Sequence, residues 1–199
     1  MTQTGTKGVA RAERRGQLVR EGVEVLGRRG YAGASMADIA ERAGVSKAMV
    51  HNVFGSKQVL AQACLEEVGP GLIASIAGAQ TASDPGQRAQ ETFTAIFTAM
   101  AQHRHAWALI NDESLPAGSD AAALAMEYRV QLHAMGTVGT RDVLAAAGLD
   151  DPLDHDLLDR LWESIVEAAV SWWQDHEDHS AEQMAERLTR LLAVVTLRQ

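Results

Sequence analysis

The sequence predicts an all-α chain of about nine helices. No segment alternates apolar and polar residues for long enough to make a strand. No proline occurs before Pro70, and alanine and leucine are abundant. Helix-start signals, short polar caps ahead of helix-forming runs, recur along all 199 residues.

Residues 1–9 are polar and basic and read as a flexible arm. The first helix is expected from about Ala10 to Arg29, with Leu18, Val19, Val23 and Leu26 inward, and Gly30 stops it so that Tyr31 packs back on the core. Ser35 and Asp38 form a capping box that starts a second helix at Met36, with Met36, Ile39, Ala40 and Ala43 on one face. Gly44 ends that helix, Val45 fills the corner, and Ser46 caps a third helix that buries Val50 and Phe54. Two short helices joined by so tight a turn are the layout of a helix-turn-helix, whose second helix lies in the DNA major groove.

A fourth helix follows the Ser56 cap and carries Val59, Leu60, Ala63 and Cys64; Gly69-Pro70 should kink or break it. Asp84-Pro85 opens a fifth helix with Phe93, Ile96, Phe97 and Met100 on one face. A short sixth helix is expected near Trp107–Asn111, a long seventh from Asp120 to Ala147, and an eighth after Asp151-Pro152. Ser180 with Gln183 caps the ninth. The eighth helix is apolar on more than one side, and the ninth adds further leucines. A face this wide predicts a partner, so a four-helix bundle between two copies is expected through Leu158, Ile165, Ala169, Trp173, Leu188, Leu191, Leu192 and Val195.

Charge is divided unevenly. The chain carries −8 overall, yet residues 1–57 carry +5 and residues 58–199 carry −13. A basic head on an acidic body is expected when one end meets phosphates. The boundary at Lys57 suggests two domains, a basic DNA-binding head, 1–57, and an acidic body, 58–199, that carries the expected dimer face and, by the family resemblance given below, would bind a ligand. The single cysteine, Cys64, excludes an internal disulfide. With no apolar run of spanning length and no signal peptide, a cytoplasmic protein without membrane contact is expected.

Enzyme signatures are missing: there is no glycine-rich phosphate loop, no GxSxG and no HExxH. His103-x-His105 and His176-x-x-His179 resemble metal spacings only superficially. No cofactor or metal is expected. A helical adaptor that contacts only protein, or less readily an all-α enzyme, is the alternative reading.

The stretch GYAGASMADIAERAGVSKAMVHNVFGSKQVL, residues 30–60, resembles the TetR family of transcriptional regulators. It has the family's Gly-aromatic pair, Ser/Thr cap, Ile-Ala, Ala-Gly-Val-Ser and Phe-x-Ser-Lys at fixed spacing. The resemblance implies a homodimer on a palindromic DNA operator, most often a repressor, released by a small-molecule effector. It implies that Ser35 bonds a phosphate, that Lys47, Ala48 and Met49 face the groove, and that Lys57 meets a phosphate at a helix N-terminus. Arg11, Arg14 and Arg15 would touch the backbone. His51 stands where the family usually has a phosphate-binding tyrosine. It can donate as neutral imidazole, and its protonated form would hold the phosphate more tightly, so binding should tighten toward lower pH. The effector pocket would lie among helices four to eight. Its candidate lining is Cys64, Phe93, Phe97, Met100, Trp107, Tyr128, Leu132, Met135 and Trp162, with Arg129 and His133 as polar groups.

Overall fold

The computed structural model describes residues 6–196, and these residues form nine α-helices and no strand. They are α1 (Thr6–Gly33), α2 (Met36–Arg42), α3 (Lys47–Phe54), α4 (Lys57–Gly78), α5 (Pro85–Ala99), α6 (Ala106–Ile110), α7 (Asp120–Ala146), α8 (Pro152–Asp175) and α9 (Ala181–Thr196). Two expectations about helix limits need correction. The first helix starts at Thr6, so residues 6–9 are helical, while residues 1–5 of the expected arm lie outside the described residues. Pro70 sits inside α4 without ending it. The proline is exposed, and Val68, Leu72 and Ile76, four residues apart, keep one buried stripe running past it.

α4 is also long and apolar enough, by composition, to cross a membrane, contrary to the sequence expectation. Half of its apolar window is buried inside the chain, the pattern of a core helix.

The chain divides into two compact units. The first takes residues up to Gly69 together with His105–Glu127; the second takes Pro70–Arg104 and Tyr128 onward. The short α6 and the first half of α4 therefore group with the head.

In the first unit Leu18, Val19, Val23 and Leu26 of α1 are buried with Ile39 of α2, Val50 of α3, Leu60 and Leu65 of α4, and Leu109 and Ile110 of α6. Local signals set the helix ends. Ser35 and Asp38 form the reciprocal capping box, and Ser46 Oγ accepts from Met49 N–H. Gly44 adopts φ 67°, a left-handed conformation that a side chain would strain, and so the chain turns sharply between α2 and α3. Polar pairs fix α2 along α1. Gln17 Nε2 donates to the Ala43 carbonyl at 3.0 Å, Arg42 pairs with Glu21 at 2.7 Å, and Arg29 pairs with Asp38 at 2.7 Å. α6 lies against α1 so closely that a Cβ placed on Gly27 would come within 2.5 Å of both Cβ and carbonyl oxygen of His105.

In the second unit Phe93, Ile96, Phe97 and Met100 of α5 are buried with Val166, Val170 and Trp173 of α8 and Met184 and Leu188 of α9. Asp84 Oδ1 accepts from Gln87 N–H at 2.7 Å, with Pro85 at the first helical position, as the sequence predicts. Asp151 does the same for α8 through Leu153 N–H at 2.9 Å. The α8–α9 corner closes on Arg104. Its guanidinium lies 3.9 Å from the Trp173 ring and donates to the carbonyls of Trp173, His176 and His179, which occupy the end of α8 and the connection after it.

Gly27→Ala is expected to destabilise the chain by about 1–3 kcal/mol, since the backbone of His105 cannot yield as a flexible side chain would. Thermal unfolding followed by circular dichroism checks this; a midpoint equal to wild type would contradict the close α1–α6 packing.

Candidate nucleic-acid interface

The helix-turn-helix presents its polar face outward. Lys47, Ala48 and Met49, the first turn of α3, are all exposed, Met49 by 41 %. His51 and Asn52 on the next turn are exposed too, while Val50 and Phe54 are buried. Side chains able to reach a groove therefore occupy one side of α3, and the core holds the other. Ser46, as N-cap, fixes where that first turn begins, and so where Lys47 points.

Three of the residues expected to meet phosphate hold interactions of their own. Ser35 Oγ accepts from Asp38 N–H at 3.2 Å and donates to Asp38 Oδ2 at 2.6 Å, so the hydroxyl is oriented by the capping box. Arg14 Nη1 donates to Gln17 Oε1 at 2.7 Å, and Arg15 lies 5.4 Å from the Phe54 ring at the end of α3. Arg11 is exposed on the same helix.

Lys57 is placed differently from the simple phosphate contact. It is half-buried, and its Nζ donates to the carbonyls of Tyr31 at 2.6 Å and Ala34 at 2.8 Å, 4.0 Å from the Tyr31 ring centre. The ammonium thereby ties the start of α4 to the corner between α1 and α2. Of its three N–H groups, two are spent on that corner. Sequence reasoning saw a charge at a helix N-terminus; the carbonyls that receive it lie 26 and 23 residues away.

Residues 18–64 match the family profile described as "Bacterial regulatory proteins, tetR family". The matched segment, α2 and α3 with the adjoining parts of α1 and α4, is similar to that family. A curated relative, the HTH-type transcriptional activator FasR of Mycolicibacterium smegmatis, is 41 % identical over 88 residues. That match spans 44 % of this chain and two fifths of the length of FasR. Among solved structures, the ketosteroid transcriptional regulator KstR2 of Mycobacterium tuberculosis superposes with a TM-score of 0.72 at 22 % identity, over 90 % of this chain and 92 % of that one. AibR, solved in complex with isovaleryl coenzyme A and operator DNA, gives 0.68 at 15 % identity, over 89 % and 97 %. At these identities the structures establish a shared fold.

The residues expected to line an effector pocket divide between the two units. Cys64 and Trp107 belong to the first, and the rest to the second. Cys64 is buried, its thiol facing the Val19 carbonyl at 3.5 Å, and burial together with the charge of Glu67 pushes its pKa up, leaving a packed thiol rather than a nucleophile. In the second unit Phe93 and Trp162 meet with ring centres 5.0 Å apart, and Phe97 packs edge-on against Trp173 at 5.3 Å. Met100 and Tyr128 are buried; Arg129, Leu132 and Met135 are half-buried. His133 is exposed and pairs with Glu163 at 2.5 Å on the surface. A groove of about 420 Å³ between α5 and α9 is lined by Thr94, Thr98, Glu182, Ala185, Glu186, Thr189 and Arg190, none of them expected from sequence.

The expected dimer face also divides. Trp173 (1 % exposed), Ala169 and Leu188 are core residues of the second unit, because Arg104 and Phe97 draw Trp173 inward. Leu158 is half-buried, while Ile165 (47 %) and Leu191 (57 %) are exposed. The side chains of Leu192 and Val195 lie outside the described residues. Leu153, Leu157 and Leu161 join Ile165 at every fourth residue on one exposed stripe of α8, and Val194 adds to Leu191 on α9.

Ser35, through its O–H and its N–H, holds the Asp38 carboxyl below its ordinary pKa, with the Arg29 charge assisting. A lowered folded-state pKa contributes stability that is present above the unfolded value of about 3.9 and is lost as pH falls through the folded value. Asp38→Asn should therefore be less stable than wild type near pH 7, with the difference shrinking below about pH 4. Thermal midpoints across that range check it; a difference independent of pH would contradict the charged cap.

Proposed function

We propose that the chain is a DNA-binding transcriptional regulator that acts as a homodimer on a palindromic operator and is governed by a small-molecule effector. The observation that carries this is the exposed first turn of α3, Lys47-Ala48-Met49, fixed by the Ser46 cap on a head of net charge +5. Lys47 can donate to guanine O6 or N7, and Ala48 and Met49 can contact a thymine methyl. His51 and the arginines of α1 would supply sequence-independent phosphate contacts.

The exposed stripe Leu157, Leu161, Ile165, with Leu191 and Val194, supports dimerisation through α8 and α9, since apolar surface of this extent on an acidic chain favours burial. Two-fold symmetry would set two recognition helices about one duplex turn apart, ~34–36 Å, or a multiple of it. We place the effector in the second unit, with Phe93, Trp162 and Tyr128 as its candidate apolar contacts, and AibR makes acyl thioesters of coenzyme A the first ligand class to test. We adopt repression as the mode, with effector binding favouring a form that fits the operator less well. FasR bears the name of an activator, so a reporter assay with and without effector decides the sign. Localisation in the cytoplasm accompanies this role.

Selection of bound duplexes from a random pool tests the reading. The expected result is enrichment of a palindromic motif by wild type and loss of enrichment by Ile165→Glu, which is expected to sediment as a folded monomer. Failure of wild type to enrich any sequence would overturn the reading.

Operator affinity measured between about pH 6 and pH 8 tests the role of His51. Wild type is expected to bind more tightly at the lower pH and His51→Phe to lose that dependence; equal pH dependence in both would remove His51 from the phosphate contact.

A further inference from the structure

The corner between α1 and α2 is held on two sides by groups remote in sequence. Gly30 breaks the helical path of α1 with φ 68° and ψ 164°. A break of this kind leaves the next amides without carbonyl partners one turn back. Tyr31 N–H donates instead to Asp112 Oδ2 at 2.5 Å, and Ala32 N–H donates to Ser114 Oγ at 2.9 Å. Asp112 and Ser114 are themselves locked together: Asp112 Oδ1 accepts from Ser114 N–H at 2.8 Å and from Ser114 O–H at 2.6 Å. The O–H of Ser114 is thus directed at the carboxylate, and the oxygen is left to accept from Ala32. On the other side Lys57 takes the Tyr31 and Ala34 carbonyls. The next residue is Ser35, the cap of α2.

We infer that Asp112 and Ser114 are positioning residues for DNA binding: together they act as a side-chain N-cap on Tyr31 and Ala32, and so fix the height and direction of the Ser35 end of α2. Both residues lie between α6 and α7, outside the helix-turn-helix. The charged acceptor makes the Tyr31 contact a strong one. Gly30 suits this corner because its φ of 68° would strain any side chain. Asp112→Ala removes both acceptors of the carboxylate, whereas Asp112→Asn keeps one carbonyl oxygen. Loss of the cap frees two amides and loosens the corner without touching Lys47, Met49 or the core.

The inference rests on the DNA-binding reading, and the experiment separates the two. Full-length wild type, Asp112→Ala, Asp112→Asn and Ser114→Ala are compared on the duplex selected by wild type, alongside amide hydrogen exchange. Asp112→Ala is expected to lose exchange protection at Tyr31 and Ala32 and to bind the duplex about tenfold more weakly, with protection of Val50 and Phe54 unchanged. Asp112→Asn should recover part of both losses, and Ser114→Ala should affect Ala32 more than Tyr31. A merely structural role would instead lower protection across the whole head. Such a uniform loss would overturn the inference, as would full duplex affinity in Asp112→Ala. Absence of any selected duplex for wild type would overturn the DNA-binding reading, and this inference with it.

Discussion

The six residues from Gly30 to Ser35 are where the head is decided. A helix that reverses into a second helix exposes amides on one side of the break and carbonyls on the other. Here the amides go to Asp112 and Ser114 and the carbonyls to Lys57. With the corner satisfied, the Ser35–Asp38 box starts α2, the Glu21–Arg42 and Gln17–Ala43 contacts lay it along α1, and Gly44 turns the chain into α3. The exposed turn Lys47–Met49 is the last link in that series, so its direction depends on hydrogen bonds made some distance away.

The second unit uses one arginine in a comparable way. Arg104 gathers three carbonyls around the end of α8 and stacks on Trp173, which pulls that indole out of solvent. A side chain that pattern alone assigns to the surface seam becomes core, and the exposed seam is left to Leu153, Leu157, Leu161 and Ile165. For the proposed dimer, this stripe at four-residue spacing is a more economical face than the broad one, because it needs no rearrangement of the chain's own packing.

What was legible in the sequence was local. The capping boxes at Ser35 and Ser180, and the Asp-Pro starts at residues 84 and 151, join groups two or three residues apart, and the structure forms each of them. The buried faces of α1, α2, α3 and α5 followed from spacing. What escaped was non-local. The partners of Lys57 are 23 and 26 residues away, and Tyr31 finds Asp112 across 81 residues. Pro70 signalled a break that the continuous buried stripe of α4 overrode. The α5–α9 groove combines two helices nearly a hundred residues apart, so no motif announces it. The fold was readable because helix ends are local events; the site was readable only in its family pattern, because the groups that orient it come from elsewhere.

The central claim is that the first turn of α3 reads base edges in a major groove from each half of a dimer. Photo-crosslinking tests it most directly, with a photoreactive side chain at position 49 and, as a control, at Glu41, exposed on α2. The account predicts crosslinks from position 49 to bases at two symmetry-related sites one duplex turn apart, ~34–36 Å, or a multiple of it, and none to bases from position 41. Crosslinks to bases from position 41 but not 49, or from neither, would contradict it.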